Sequence, residues 1–174
     1  AAIYVDPKGP YTRYGDIDIW DEERDARNYK GVLPVIAHPP CNRWGRLAPV
    51  NHKRWGTPIG EDGGCFEHAL WAVKTFGGVL EHPAHSIAWK TYGLTKPLGV
   101  FWSSDSLGGW VGEVWQSSYG HLATKKTWLY YVGNKEPEPF ISDRVKGTHQ
   151  VGGGIHTGNN KKPRLPQTQT HLTP

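Results

Sequence analysis

Three separated positions carry side chains able to act together on a small substrate. Cys41 follows Pro39-Pro40, so its backbone is stiff and its thiol has a fixed direction. The thiolate is the reactive form, and it needs positive charge nearby to form near pH 7. Arg43 and Arg46 follow closely and can supply that charge. Read alone, Cys41 better suits a buried structural thiol. Glu81 ends the apolar segment Val79-Leu80. A carboxyl in a crevice at a strand end is expected to have a raised pKa and to work as an acid, unless an ion pair or a helix cap claims it. Lys125-Lys126 precede a β-branched and aromatic run. Such a pair holds a phosphate or a base edge, or simply solvates the strand entrance.

Metal binding is a second chemistry in the same residues. His38-x-x-Cys41 and Cys65-x-x-His68 share one spacing, and His82-x-x-His85 repeats it. Two Cys and two His make a normal zinc set. Against this, Pro39-Pro40 stiffens the first pair, and Cys65 opens a helix that packing explains. The zinc deaminase pattern is not present.

The elements that must position these residues are short. Ile3 to Val5 reads as a strand and Asp16 to Ile19 as a weak one; Asp21 to Tyr29 reads as a helix stopped by Gly31. Val32 to Ala37 is a continuous apolar run, suited to a strand buried on both faces and ended by the prolines. Residues 42 to 64 read as loop. Cys65 to Phe76 is the clearest helix, with Phe66, Ala69, Leu70 and Val73 on one face and Gly77-Gly78 as its stop. Ser86 caps a short helix to Tyr92. Val111 to Trp115 and Thr127 to Val132 read as strands. Strands alternating with helices predict an α/β fold with a mostly parallel sheet flanked by helices, Val35 and Leu80 lying in neighbouring central strands. Ligands then bind beyond the carboxyl ends of the strands, where Cys41 and Glu81 both sit.

Composition fits one domain. The chain has 174 residues, of which 37% are hydrophobic and 21% charged, enough to bury a core. Residues 1–146 form the expected α/β domain; 147–174 read as a basic, polar, disordered tail with too few apolar groups to offset its ordering entropy. The 9 Trp and 8 Tyr build a core and can also stack on bases. A net charge of +4 favours an anionic partner without requiring one. Only 2 Cys are present, which excludes a secreted disulfide framework. No apolar run is long enough to span a membrane, and cytoplasmic localisation is expected.

Taken together, the segments resemble the DNA cytosine-5 methyltransferases. That family has a Pro-Cys loop after one strand, a Glu-Asn-Val segment after the next, and a Tyr-Gly…Gln-x-Arg-x-Arg segment before a later strand. Here the similar segments are Pro40-Cys41, Leu80-Glu81-His82-Pro83, and Tyr119-Gly120 through Lys125-Lys126-Thr127. Gly15-Asp16-Ile17 is similar to the Gly-Asp-Ile segment of those enzymes. The chain also looks like small methylase-like proteins encoded by bacteriophages, which implies a host cytoplasm if it is viral. The resemblance implies a truncated Rossmann-like methyltransferase core, DNA as partner and S-adenosylmethionine as cofactor. It implies that Cys41 attacks C6 of a flipped cytosine, that Glu81 holds or protonates N3, and that Lys125 stabilises the site. Pro40, Arg43, Arg46, His82 and Lys126 would then contact the substrate.

Departures from the family are specific. The Gly-rich cofactor loop after the first strand is not found; Pro7-Lys8-Gly9-Pro10 stands near its place. The family's Asn after Glu is His82, and the Gln-x-Arg-x-Arg segment is reduced to Ala123, Lys125 and Thr127. The isolated chain is therefore expected to bind S-adenosylmethionine no better than about millimolar. Three functions follow: a DNA-directed methyltransferase-like protein, active or decayed; a non-catalytic phage module binding nucleic acid or a protein partner; and a zinc-stabilised structural domain.

Overall fold

Short apolar runs broken by glycine and proline give a sheet of many brief strands. The computed structural model describes residues 1–141, 143–149, 163 and 165. Seven strands among the described residues form one sheet. They are β1 (Ala2–Ile3), β2 (Ile19–Trp20), β3 (Val35–Ala37), β4 (Gly78–Pro83), β5 (Ser103–Ser104), β6 (Trp110–Trp115) and β7 (Lys126–Val132). Their spatial order is β2-β1-β3-β4-β7-β6-β5. Pairing is parallel from β2 through β4 and antiparallel from β4 onward. The expected α/β class holds, but the mostly parallel sheet is corrected to a mixed one. Val35 and Leu80 do lie on neighbouring strands, with Ala37 opposite Leu80.

Among the described residues the three α-helices are α1 (Ala48–Trp55), α2 (Cys65–Phe76) and α3 (Ile87–Thr91). Helix α2 has the predicted span because its apolar face buries Phe66, Ala69, Leu70, Ala72 and Val73. The Asp62 carboxylate caps it, accepting from the Phe66 and Gly64 N–H groups at 2.8 and 3.0 Å. Ser86 caps α3 through the Ala88 N–H. Helix α1 lies in the stretch read as loop. Pro49 sits in its first turn, where no N–H is needed, and Gly56 ends it with φ 66°. The helix expected over 21–29 is only a 3-10 turn, Ala26–Asn28. The Asp21 and Asp25 side chains take the Arg24 and Arg27 N–H groups, which competes with a continuous helix.

Strand alternation divides the core. On the α2 side, Val35, Ala37, Leu80, Trp128 and Tyr130 join the helix residues in one buried cluster. On the other face, Ile36, Val79, Glu81, Thr127, Leu129 and Val114 meet aromatic loop side chains, among them Tyr11, Tyr119 and Phe140. The sheet is therefore covered differently on its two sides, not by helices on both. Gly78 has φ 115°, and a Cβ there would collide with the Val35 carbonyl, so only glycine allows β3 and β4 to approach.

Residues 143–149 return along the loop after β6. Ser117 and Ser118 donate to the Val145 and Asp143 carbonyls, and Gly147 N–H donates to Thr124 Oγ1 at 2.7 Å. The start of the expected tail is thus tied to the domain, and Leu165 is 5% exposed. The remaining tail residues lie outside the described residues. No helix among the described residues is long and apolar enough to cross a membrane.

Candidate active site

Strand β1 pairs with β2 on one side and β3 on the other. The chain reverses its direction of sheet growth there, and a crevice opens beyond the carboxyl ends of such strands. Two cavities occupy it. One, of about 570 Å³, is lined by Tyr11, His38, Pro39, Pro40, Cys41, Glu81 and Lys125 among others. The second, of about 750 Å³, is lined by Tyr4, Asp21, Asp25, Arg43, Glu61, Asp62 and Cys65 among others. Tyr4, Val5, Pro40 and Asn42 line both.

Strands β3, β4 and β7 each deliver side chains to the first cavity. Cys41 and His38 leave β3 together. Glu81 lies near the end of β4. Lys125 arrives because β7 runs antiparallel to β4, so its entrance lies at the β4 exit, with Pro83 opposite Thr127. The structure therefore brings Cys41, Glu81 and Lys125 into one cavity.

Glu81 is the hub. Its Oε2 accepts from His38 Nδ1 at 3.2 Å. Its Oε1 accepts from Gln116 Nε2 at 3.1 Å and lies 3.6 Å from Lys125 Nζ. His38 Nε2 in turn meets the Tyr11 hydroxyl at 2.7 Å. With Nδ1–H given to Glu81, Nε2 is the acceptor for the Tyr11 proton. Burial would push the Glu81 carboxyl up, but the His38 hydrogen bond and the Lys125 charge outweigh it and hold the group down at about 2. The raised pKa and acid role expected for Glu81 are corrected: it is an ionised carboxylate. Burial pushes the Cys41 thiol above its ordinary value; Lys125 pulls it down and Glu81 pushes it up again. In the free protein Cys41 is a thiol, and Arg43 and Arg46 are not the charges that act on it.

The other residues expected to contact a substrate scatter. Pro40 lines both crevice cavities. Arg43 faces the second cavity and Arg46 is exposed on the following loop. Lys126 is held by Glu113 at 2.8 Å and lies over the Trp115 ring. His82 is corrected to a core residue: it is fully buried on the α2 side, stacked on Trp89 and edge-on to Phe66. Its ring nitrogens make no hydrogen bond of full geometry, although the Pro40 carbonyl lies near enough to act on the ring. Burial pushes its imidazole down to about 4, against the pull of the Glu81 carboxylate and the nearby Pro40 carbonyl.

The zinc arrangement does not assemble. His38 is taken by Glu81 and Tyr11, and His68 by the Tyr4 hydroxyl and the Tyr29 carbonyl. Among the described residues no group of three or more His, Cys, Asp or Glu can hold a metal.

Sequence reasoning missed three site residues. His38 was visible only as a metal ligand, although its place two positions after Ile36 puts it on the Glu81 face. Tyr11 and Gln116 come from turns and carry no local signal. Comparison of the chain with protein-family models, curated proteins and solved structures finds no match.

Proposed function

We infer that the chain is a DNA cytosine-5 methyltransferase-like protein that engages a nucleobase at the Cys41 cavity. The observation that carries this reading is the convergence of Cys41, Glu81 and Lys125 on one cavity at the switch point of the sheet, from three strands distant in sequence. In this reading Cys41 Sγ adds to C6 of the base, the C5–C6 double bond opens, and the thiol proton ends on C5. The Glu81 carboxylate accepts from the base's N–H edge instead of acting as an acid. Lys125 offsets the negative charge that gathers in the site.

DNA is supported by what lies next along the chain. Arg46 and α1 place Lys53 and Arg54 on the surface beside exposed Leu47, Val50 and Trp55, the last 65% exposed. Basic residues interleaved with an aromatic suit phosphate contacts and base stacking. The described structure also supports a truncated Rossmann-like core in its parallel half and in the position of its crevice.

The residues present do not fit S-adenosylmethionine as that family holds it. The second cavity has the volume and offers Asp21 at the end of β2 as a carboxylate for ribose hydroxyls. However, β1 leads into a 3-10 turn, Pro10–Arg13, which begins with proline. No Gly-rich turn or α-helix N-terminus follows β1 to cradle the rest of the cofactor. No methyl-transfer step is therefore derived.

The elevated Cys41 thiol favours a second reading, a binding module that keeps the fold and grips nucleic acid without covalent chemistry. Trapping Cys41 on DNA that carries a mechanism-based cytosine analogue separates the two.

A further inference from the structure

We propose that a third cavity, on the sheet face away from α2, binds a planar amine-bearing heterocycle of nucleobase size. This cavity has a volume of about 320 Å³. It lies behind the Cys41 cavity and is bounded by Glu81 and His38 at their shared wall. The proposal does not rest on the methyltransferase-like reading, because it needs neither Cys41 nor a cofactor.

Shape is the first argument. Val79 and Leu129 form an aliphatic floor, neighbours across β4 and β7. Tyr119 and Phe140 stand over it, supplying aromatic walls. A flat ring fills such a slot with stacking contacts on its faces.

Unmet hydrogen bonding is the second argument. Thr127 Oγ1 and Gln116 Oε1 are both buried and without a hydrogen-bond partner. Thr127 is 1% exposed and Gln116 4%, and both residues line the cavity. An unpaired buried oxygen of this kind is costly and uncommon. The Gln116 amide is oriented by its donation to Glu81, which leaves the amide oxygen as the free end. The Gln116 amide oxygen can only accept, and the Thr127 hydroxyl can accept as well as donate, so a donor with two hydrogens satisfies both. An exocyclic ring amine has that form, whereas a ring carbonyl at the same place could take the Thr127 hydroxyl but would be repelled by the Gln116 oxygen.

Cytosine and uracil differ at this group and make the test. The full chain, labelled with nitrogen-15, is titrated with each base, and shifts are read at the Val114 and Thr127 amides. We expect saturable shifts with cytosine and at least tenfold weaker binding of uracil. Thr127→Val, nearly isosteric, should weaken cytosine several-fold. Leu129→Trp should fill the slot and abolish the shifts, and Cys41→Ser should leave them unchanged. Single-stranded oligo-dC competing for the site would assign the base to a nucleic acid; failure to compete would assign a free heterocycle. Equal binding of cytosine and uracil, no shifts with cytosine, or shifts that persist in a folded Leu129→Trp variant would each overturn the proposal. Loss of the shifts in Cys41→Ser would place the ligand in the other cavity and also overturn it. Failure of covalent trapping at Cys41 bears on the function reading alone.

Discussion

Glu81 Oε2 and His38 Nδ1 meet at 3.2 Å across the adjacent strands β3 and β4, and this contact turns a buried carboxyl into a fixed anion. Gln116 and Lys125 occupy its other oxygen, and Tyr11 fixes the far side of the imidazole. The site is thus an anion hub beside a protonated thiol.

Acid sensitivity follows from the hub. The folded Glu81 carboxyl titrates at about 2 instead of the ordinary 4.5. Its contribution is complete above the ordinary value and is lost as pH falls toward about 2. The amount is on the order of 3 kcal/mol. Urea unfolding at descending pH should show Glu81→Gln less stable than the parent at neutral pH, with the gap closing through this window. A gap independent of pH would contradict the ionised carboxylate.

His82 gives a second, higher window. Its imidazole titrates at about 4 in the fold against 6.5 ordinarily. The unfolded chain takes up a proton in this interval that the core rejects. Stability is therefore full above the ordinary value and falls as pH drops toward about 4, again by on the order of 3 kcal/mol. His82→Phe should keep the stacking with Trp89 and Phe66 and flatten this slope in the same unfolding measurement.

Cys41 should alkylate slowly at neutral pH. Its thiol lies above the ordinary value, so the iodoacetamide rate should keep climbing past about pH 9. Lys125→Ala removes the charge that opposes burial. The rate at a fixed pH near 9 should fall several-fold, with Lys125→Arg retaining most of it. Peptide mapping distinguishes Cys41 from Cys65.

Asp62→Ala should cost about 1–2 kcal/mol in urea unfolding with little change in helical signal. The carboxylate caps α2 and also accepts from Trp44 Nε1 at 2.7 Å. Asp62→Asn should recover part of the loss.

Local pattern carried much of the fold. The α2 span was legible because Phe66, Leu70 and Val73 recur on one face, and the Ser86 cap because its side chain acts within α3 itself. The Cys41–Glu81 meeting was legible because both follow short apolar runs expected to lie in neighbouring parallel strands. What stayed hidden depends on distant pairing. The antiparallel insertion of β7 between β4 and β6 has no local marker. Helix α1 carries Asn51, His52 and an exposed Trp55, a weak pattern that does not separate helix from loop. Tyr11 reaches His38 from a turn, and nothing in its neighbours announces that contact. His82 next to Glu81 invited a site role, yet strand alternation turns it to the opposite face.

The arrangement of the site predicts above all that Cys41 forms a bond to a nucleobase carbon. Duplex DNA carrying 5-azacytosine within randomised flanks tests it without a methyl donor. The thiol adds across the ring: Sγ bonds to C6, the C6–N5 double bond is lost, and the thiol proton ends on N5. Intact-mass spectrometry should show a protein–DNA adduct whose yield rises with pH, absent in Cys41→Ser and present in Cys65→Ser. An adduct that survives Cys41→Ser, or none at any pH with the folded parent chain, would contradict the account.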